Sequence, residues 1–172
     1  MAVTRARRSV LGMLVVALFV AGCGGDDSAD DDVPSLGADI LDAVAAVEAS
    51  RGAGQEYFEV TAAALVTNVF VAVDEATAAI PYAFIDGELL EPEPRLDGAS
   101  GFTFSADALE FDADAVLSQV AGELPDATIE SLSVEGGDGG IVRYVALVRS
   151  DAGGLLEVTV GPDGAVLAVD PL

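Results

Sequence analysis

Between residues 127 and 172 apolar side chains fall at every second position in run after run: Leu132 and Val134, then Val142, Tyr144, Ala146 and Val148, then Leu156, Val158 and Val160. A strand sends successive side chains to opposite faces, so this spacing commits the segment to antiparallel strands that are buried on one side only. Turn residues punctuate the runs. Gly136-Gly137-Asp138-Gly139-Gly140 and Asp151-Ala152-Gly153-Gly154 form hairpin loops, and Asp163-Gly164 suits a tight turn with positive φ. The buried faces need a cover, and two helical segments supply it. Asp112 caps a helix from Ala113 to about Glu123, ended by Gly122 and Pro125; upstream, Ser35 or Gly37 opens a helix that Gly52 ends.

Set side by side, the two helices look repeated. Ile40, Leu41 and Val44 recur 76 positions later as Val116, Leu117 and Val120. At an offset of 77, Phe70-Val71 maps to Leu147-Val148, Asp74 to Asp151, Asp86-Gly87 to Asp163-Gly164 and Leu89-Leu90 to Val166-Leu167. Chance matching between segments rich in the same few residues is the alternative. The expected fold is therefore α+β, with two helix-on-antiparallel-sheet repeats of one helix and three to four strands each. The first covers residues 38–98 and the second 99–172, after a disordered acidic tether.

The N-terminus carries a different kind of information. Arg5, Arg7 and Arg8 precede an apolar run from Ser9 to Val20, and Val20-Ala21-Gly22-Cys23 closes it with an aliphatic residue, two small residues and the chain's single cysteine. About a dozen apolar residues fall short of the ~20 that a membrane-crossing helix needs, and the cysteine has no partner for an internal disulfide. A positive start, a short apolar stretch and small residues before the cut are the marks of a cleaved leader. An ordinary secretory leader with an incidental cysteine is the plainer alternative, and Arg7-Arg8-Ser9-Val10-Leu11 matches a twin-arginine signal loosely. Residues 1–22 resemble a bacterial lipoprotein signal peptide. The resemblance implies that Val20, Ala21 and Gly22 are read by the signal peptidase and that Cys23 is S-acylated. It implies attachment to the cell membrane, on its extracytoplasmic face, through the lipid on Cys23, whose diacylglyceryl group meets the two-chain requirement for firm anchoring.

All 30 acidic residues follow Cys23, against four arginines: Arg51, Arg95, Arg143 and Arg149. Nucleic acid is excluded as a partner, because phosphate binding needs clustered positive charge. Within residues 23–37, Asp26, Asp27, Asp30, Asp31 and Asp32 repel one another between Gly24-Gly25 and Pro34, which reads as an extended tether; their spacing does not fit an EF-hand calcium loop. The absence of lysine and histidine and the abundance of alanine, valine, glycine and aspartate match a GC-rich, actinobacterial genome, with a salt-adapted source as the alternative.

Asp112 to Pro171 resembles a PepSY-type domain: a short helix, a Pro125-Asp126-Ala127 break, and strands ending in Glu157-Val158-Thr159-Val160-Gly161-Pro162-Asp163-Gly164-Ala165-Val166-Leu167. Ile85-Asp86-Gly87-Glu88-Leu89-Leu90 carries the likeness into the first half, and the duplication is similar to tandem-repeat β-lactamase-inhibitor proteins, without their disulfides. The resemblance implies a non-catalytic envelope protein that binds other proteins, peptidases among them, and transfers no individual functional residue.

Elimination points the same way. Without histidine there is no imidazole base or zinc ligand of that type, and without lysine no Schiff base. Paired carboxylates remain, Glu91 with Glu93 or Asp112 with Asp114, but such pairs abound in so acidic a chain and usually decorate a solvated face. No catalytic residue, cofactor or metal ligand is therefore expected. Tyr57, Phe58, Phe70, Tyr82, Phe84, Phe102, Phe104, Phe111 and Tyr144 read first as core fillers and second as the lining of a lipid or glycolipid cavity between helices and sheet. The functional expectation is a membrane-anchored, extracytoplasmic binding module with an envelope protein as partner, and an envelope lipid carrier as the alternative.

Overall fold

The computed structural model describes residues 35–172. Helix α1 (Leu36–Arg51) turns Leu36, Ile40, Ala43, Val44 and Val47 inward, a stripe at helical spacing, and ends where Gly52 takes φ 97° and donates its N–H to the Glu48 carbonyl. Three strands follow: β1 (Glu56–Ala63), β2 (Val66–Val73) and β3 (Ala78–Ile85), then three short ones, β4 (Glu88–Leu89), β5 (Leu96–Asp97) and β6 (Phe104–Ser105). Helix α2 (Ala113–Glu123) starts on Asp112, whose carboxylate accepts the Ala115 N–H at 2.9 Å, and buries Val116, Leu117 and Val120. The chain closes with β7 (Ala127–Gly136), β8 (Val142–Ser150), β9 (Leu155–Val160) and β10 (Val166–Pro171).

The α+β arrangement of two helix-on-sheet repeats expected from the sequence is corrected by the topology, which is richer in strand than that expectation. All ten strands belong to one antiparallel sheet in the order β10-β9-β8-β7-β1-β2-β3-β4, with β5 on β3 and β6 on β1. Two α-helices are the only ones among the described residues, so the protein is dominated by its sheet. The physical reason lies at the middle. In separate halves β1 and β7 would both be edge strands with a row of unpaired N–H and C=O groups; pairing with each other removes both edges. On either side of this seam the ladders match: Thr61 pairs with Asn68 on one side, and Ser133 pairs with Val145 on the other.

Both helices contribute to one core cluster with a single face of the sheet. Val60, Ala62, Val69, Val71, Leu132, Val134, Ala146 and Val158 stand there with no solvent exposure, and their cross-strand pairs, Val60 with Val69 and with Val134, Ala62 with Leu132, keep that face apolar across the seam. The rims of the sheet differ. The outer edge of β3 is covered by β4 at one end and β5 at the other, and between them the Pro81 and Ala83 carbonyls accept the N–H groups of Glu93 and Leu90 at 2.9 Å each. Arg95 ties this rim to the β2–β3 turn by pairing with Asp74 and with Asp97, the latter at 2.7 Å. The outer edge of β10 pairs with no strand among the described residues.

Two glycines are required by close approach. A Cβ on Gly136, where β7 meets the chain entering β6, would stand 2.4 Å from the Phe102 carbonyl oxygen. Gly164, in the β9–β10 turn, has φ 85° and packs on α2, where a Cβ would lie 2.9 Å from the Ala115 oxygen.

Candidate functional site

The opposite face of the sheet carries neither helix. Alternation places Glu59, Thr61 and Ala63 of β1 there, with Asn68 and Phe70 of β2, Ser131, Ser133 and Glu135 of β7, Arg143 and Leu147 of β8 and Glu157 and Thr159 of β9. Most are half-buried, since neighbours on a twisted sheet shade one another. At the seam the hydroxyls form a relay. Thr61 Oγ1 donates to Glu59 Oε1 at 2.5 Å, which leaves Ser133 Oγ to donate to Thr61 Oγ1 at 2.7 Å.

Beside that relay two glutamates face each other. Glu59 and Glu135 are direct cross-strand partners, an arrangement that costs stability because like charges stand directly opposite each other. Arg143, directly across from Glu135 on β8, answers it at only 3.8 Å, with both side chains part-exposed. Burial above all, and then the negative charges of Glu59 and Glu157, push the Glu135 carboxyl above its ordinary range; Arg143 pulls the other way and loses. At the rim the balance reverses: Arg149 reaches Glu130 at 2.5 Å, and that hydrogen bond holds the Glu130 carboxyl below the usual range. Towards the other end, the chain leaving β5 passes over the face, and residues 96–100 enclose with Phe58, Glu59, Phe70 and Ala79 a hollow of about 350 Å³.

The aromatic residues divide between the two faces. Tyr57, Tyr82, Phe84, Phe104 and Tyr144 are buried between helices and sheet, with Tyr57 against Phe104 at 5.7 Å and Phe111 against Tyr144 at 5.0 Å between ring centroids. Phe58 and Phe70 line the hollow on the open face, and Phe102 is 55% exposed. Of the carboxylate pairs considered, Glu91 and Glu93 stand exposed beyond β4, and Asp112 is engaged as the cap of α2. Among the described residues no group of three or more His, Cys, Asp or Glu side chains is arranged to hold a metal ion, and no helix is long and apolar enough to cross a membrane. Val20, Ala21, Gly22 and Cys23, and the aspartates of the tether, lie outside the described residues.

Sequence reasoning missed the Glu59–Glu135 pair. Both are ordinary members of a crowd of acids, and only the pairing of β1 with β7 brings them together; alternation would have placed each on the solvent side of its strand, but no local signal joins the strands. Compared with known proteins, the chain matches no protein-family model and no curated relative.

Proposed function

We propose that this chain is an extracytoplasmic binding module, anchored to the cell membrane by a lipid on Cys23, that holds a cationic segment of an envelope protein against the open face of its sheet. The observation that supports it most is the Glu59–Glu135 pair. Two half-buried carboxylates opposed across a ladder, with Arg143 reaching only Glu135 and at 3.8 Å, are unfavourable for the isolated fold. An arginine or lysine side chain from outside would relieve both at once, and the Thr61–Ser133 relay beside them offers further acceptors. The acidity of the whole chain would steer such a partner inward. The PepSY-like resemblance of residues 112–171 makes an envelope protein, a peptidase for example, the class of partner, and a non-catalytic role the class of action.

The test is quantitative binding of a cationic, arginine-containing hexapeptide to the full chain and to a Glu59→Gln/Glu135→Gln variant. The variant binds at least about tenfold more weakly, the factor carried by ~1.4 kcal/mol, and the wild-type affinity falls as ionic strength rises. Equal affinity for both proteins refutes the reading. The anchor is tested apart from it: a clickable palmitate labels the wild type and leaves Cys23→Ala unlabelled.

A further inference from the structure

The described part of the chain carries four arginines, and three of them are matched to carboxylates: Arg95 to Asp74 and Asp97, Arg143 to Glu135, Arg149 to Glu130. Arg51, at the end of α1, is held differently. Its Nη1 donates to the Tyr82 hydroxyl at 2.9 Å, its Nε donates to Gln55 Oε1 at 3.0 Å, and its Cζ lies 5.9 Å from the centre of the Tyr82 ring. Gln55 is itself fixed, its amide donating to the Gly52 carbonyl at 2.9 Å. The nearest acid on the helix, Glu48, turns its Oε1 to the backbone N–H groups of Gly54 and Gln55 and makes no ion pair with Arg51. Neutral partners thus fix the guanidinium without cancelling its charge, and no described carboxylate pairs with it. Two of its five N–H groups are used and three remain. The Tyr82 oxygen accepts from Arg51, so its own O–H is left to donate.

These donors stand at a groove of about 480 Å³ between the end of α1 and the β3–β4 rim, where Ser50, Leu89, Leu90 and Pro92 complete the lining together with Glu91. The volume is that of a small-ligand site. We propose that the groove binds a small carboxylate carrying an apolar group, with the carboxylate on Arg51 and Tyr82 and the apolar part against Leu89, Leu90 and Pro92. A planar guanidinium with three free N–H groups matches the two oxygens of a carboxylate, and charge complementarity selects an anion here although the chain as a whole repels anions. Glu91 is the local competitor, and its negative charge keeps the affinity low. Two sources present this chemistry: the free C-terminus of a peptide with an apolar last residue, and a short-chain fatty acid. The groove lies on the helix side of the sheet, so the inference is independent of the open-face reading.

The experiment titrates the full chain with N-acetyl-alanyl-leucine, with its C-terminal amide and with hexanoate, following the backbone amide resonances of Leu89 and Leu90. The free acid shifts them and the amide does not; Arg51→Gln weakens the acid at least tenfold, Arg51→Lys less, and Tyr82→Phe a few-fold. Glu91→Gln tightens binding, a gain that mere damage to the fold would not produce. Equal response to hexanoate assigns the acyl source, and a silent hexanoate assigns the peptide source. Glu59→Gln/Glu135→Gln leaves this titration unchanged, which separates the outcome from that of the cationic-peptide test. Equal binding of acid and amide, wild-type affinity in Arg51→Gln, or no response to either acid overturns the proposal.

Discussion

Replacing Tyr57 by phenylalanine should stabilise this protein, and by more in alkali than at neutrality. The Tyr57 ring is fully buried against Phe104, and its hydroxyl has no hydrogen-bond partner. Glu48 stands near enough to repel a phenolate and to draw the phenol proton towards it, but the contact falls outside hydrogen-bond geometry, and its Oε1 is engaged by backbone N–H groups. Folding therefore strips water from the hydroxyl without replacing it, at a cost of about 1–3 kcal/mol. Phenylalanine keeps the ring and removes the unpaired oxygen, so a net gain of about 1–2 kcal/mol is expected at pH 7, or a rise in Tm of roughly 3–6 °C for a domain of this size. Burial, with the Glu48 charge second, also raises the Tyr57 pKa well above its ordinary value of 10.0. Below that value the phenol is neutral in folded and unfolded chains alike. Above it the unfolded chain gives up the proton and the fold does not, so each further pH unit costs the wild type about 1.4 kcal/mol that the variant does not lose. Urea unfolding followed by circular dichroism at pH 7 and at about pH 11 measures both parts, and comparison with the variant cancels the similar contribution of Tyr144, whose pKa burial also raises. A variant less stable than wild type at pH 7, or a difference that stays constant into alkali, refutes the reasoning.

Other substitutions probe other parts of the sheet. Gly136→Ala sets a Cβ against the Phe102–Thr103 backbone at 2.4–2.8 Å, where no side-chain rotation can make room; a loss above about 3 kcal/mol in urea unfolding is expected, and a loss within 0.5 kcal/mol of zero contradicts the close approach. For Glu135→Gln the raised carboxyl pKa gives the sign: wild-type stability from this group is full below the ordinary glutamate value of 4.5 and declines as pH rises. The variant should therefore unfold at a higher temperature than wild type at pH 7 and match it near pH 4, as calorimetry at the two pH values will show. Asp112→Ala removes the cap of α2 and should cost about 1 kcal/mol, read as a lower urea midpoint with an unchanged slope.

Much of the local structure is legible in the sequence alone. Asp112 caps α2 and Gly52 closes α1, because capping chemistry is written in a few adjacent residues. Val142, Tyr144, Ala146 and Val148 fall on β8, where alternation places a strand, and in the Asp163-Gly164 turn between β9 and β10 Gly164 takes positive φ while Asp163 does not. What stayed hidden was every consequence of the β1–β7 pairing: the single ten-stranded sheet and the meeting of Glu59 with Glu135. Strands far apart in the chain leave no periodic trace of which partner each will take. Arg51 was hidden for a related reason, since its isolation from acid depends on where Glu48, Gln55 and Tyr82 come to rest, and in an acid-rich chain any arginine looks paired.

The central ladder also bears on how the molecule comes apart. Thr61 and Ser133, joined across it, lie 72 residues apart in the chain, and every contact there closes a long loop before it returns any stabilisation. Neither half can shed the other without baring a strand in the interior of the sheet, so loss of order should spread through both together, and a peptide cut off after β6 should gather into clumps through the bared side of β1 instead of standing alone.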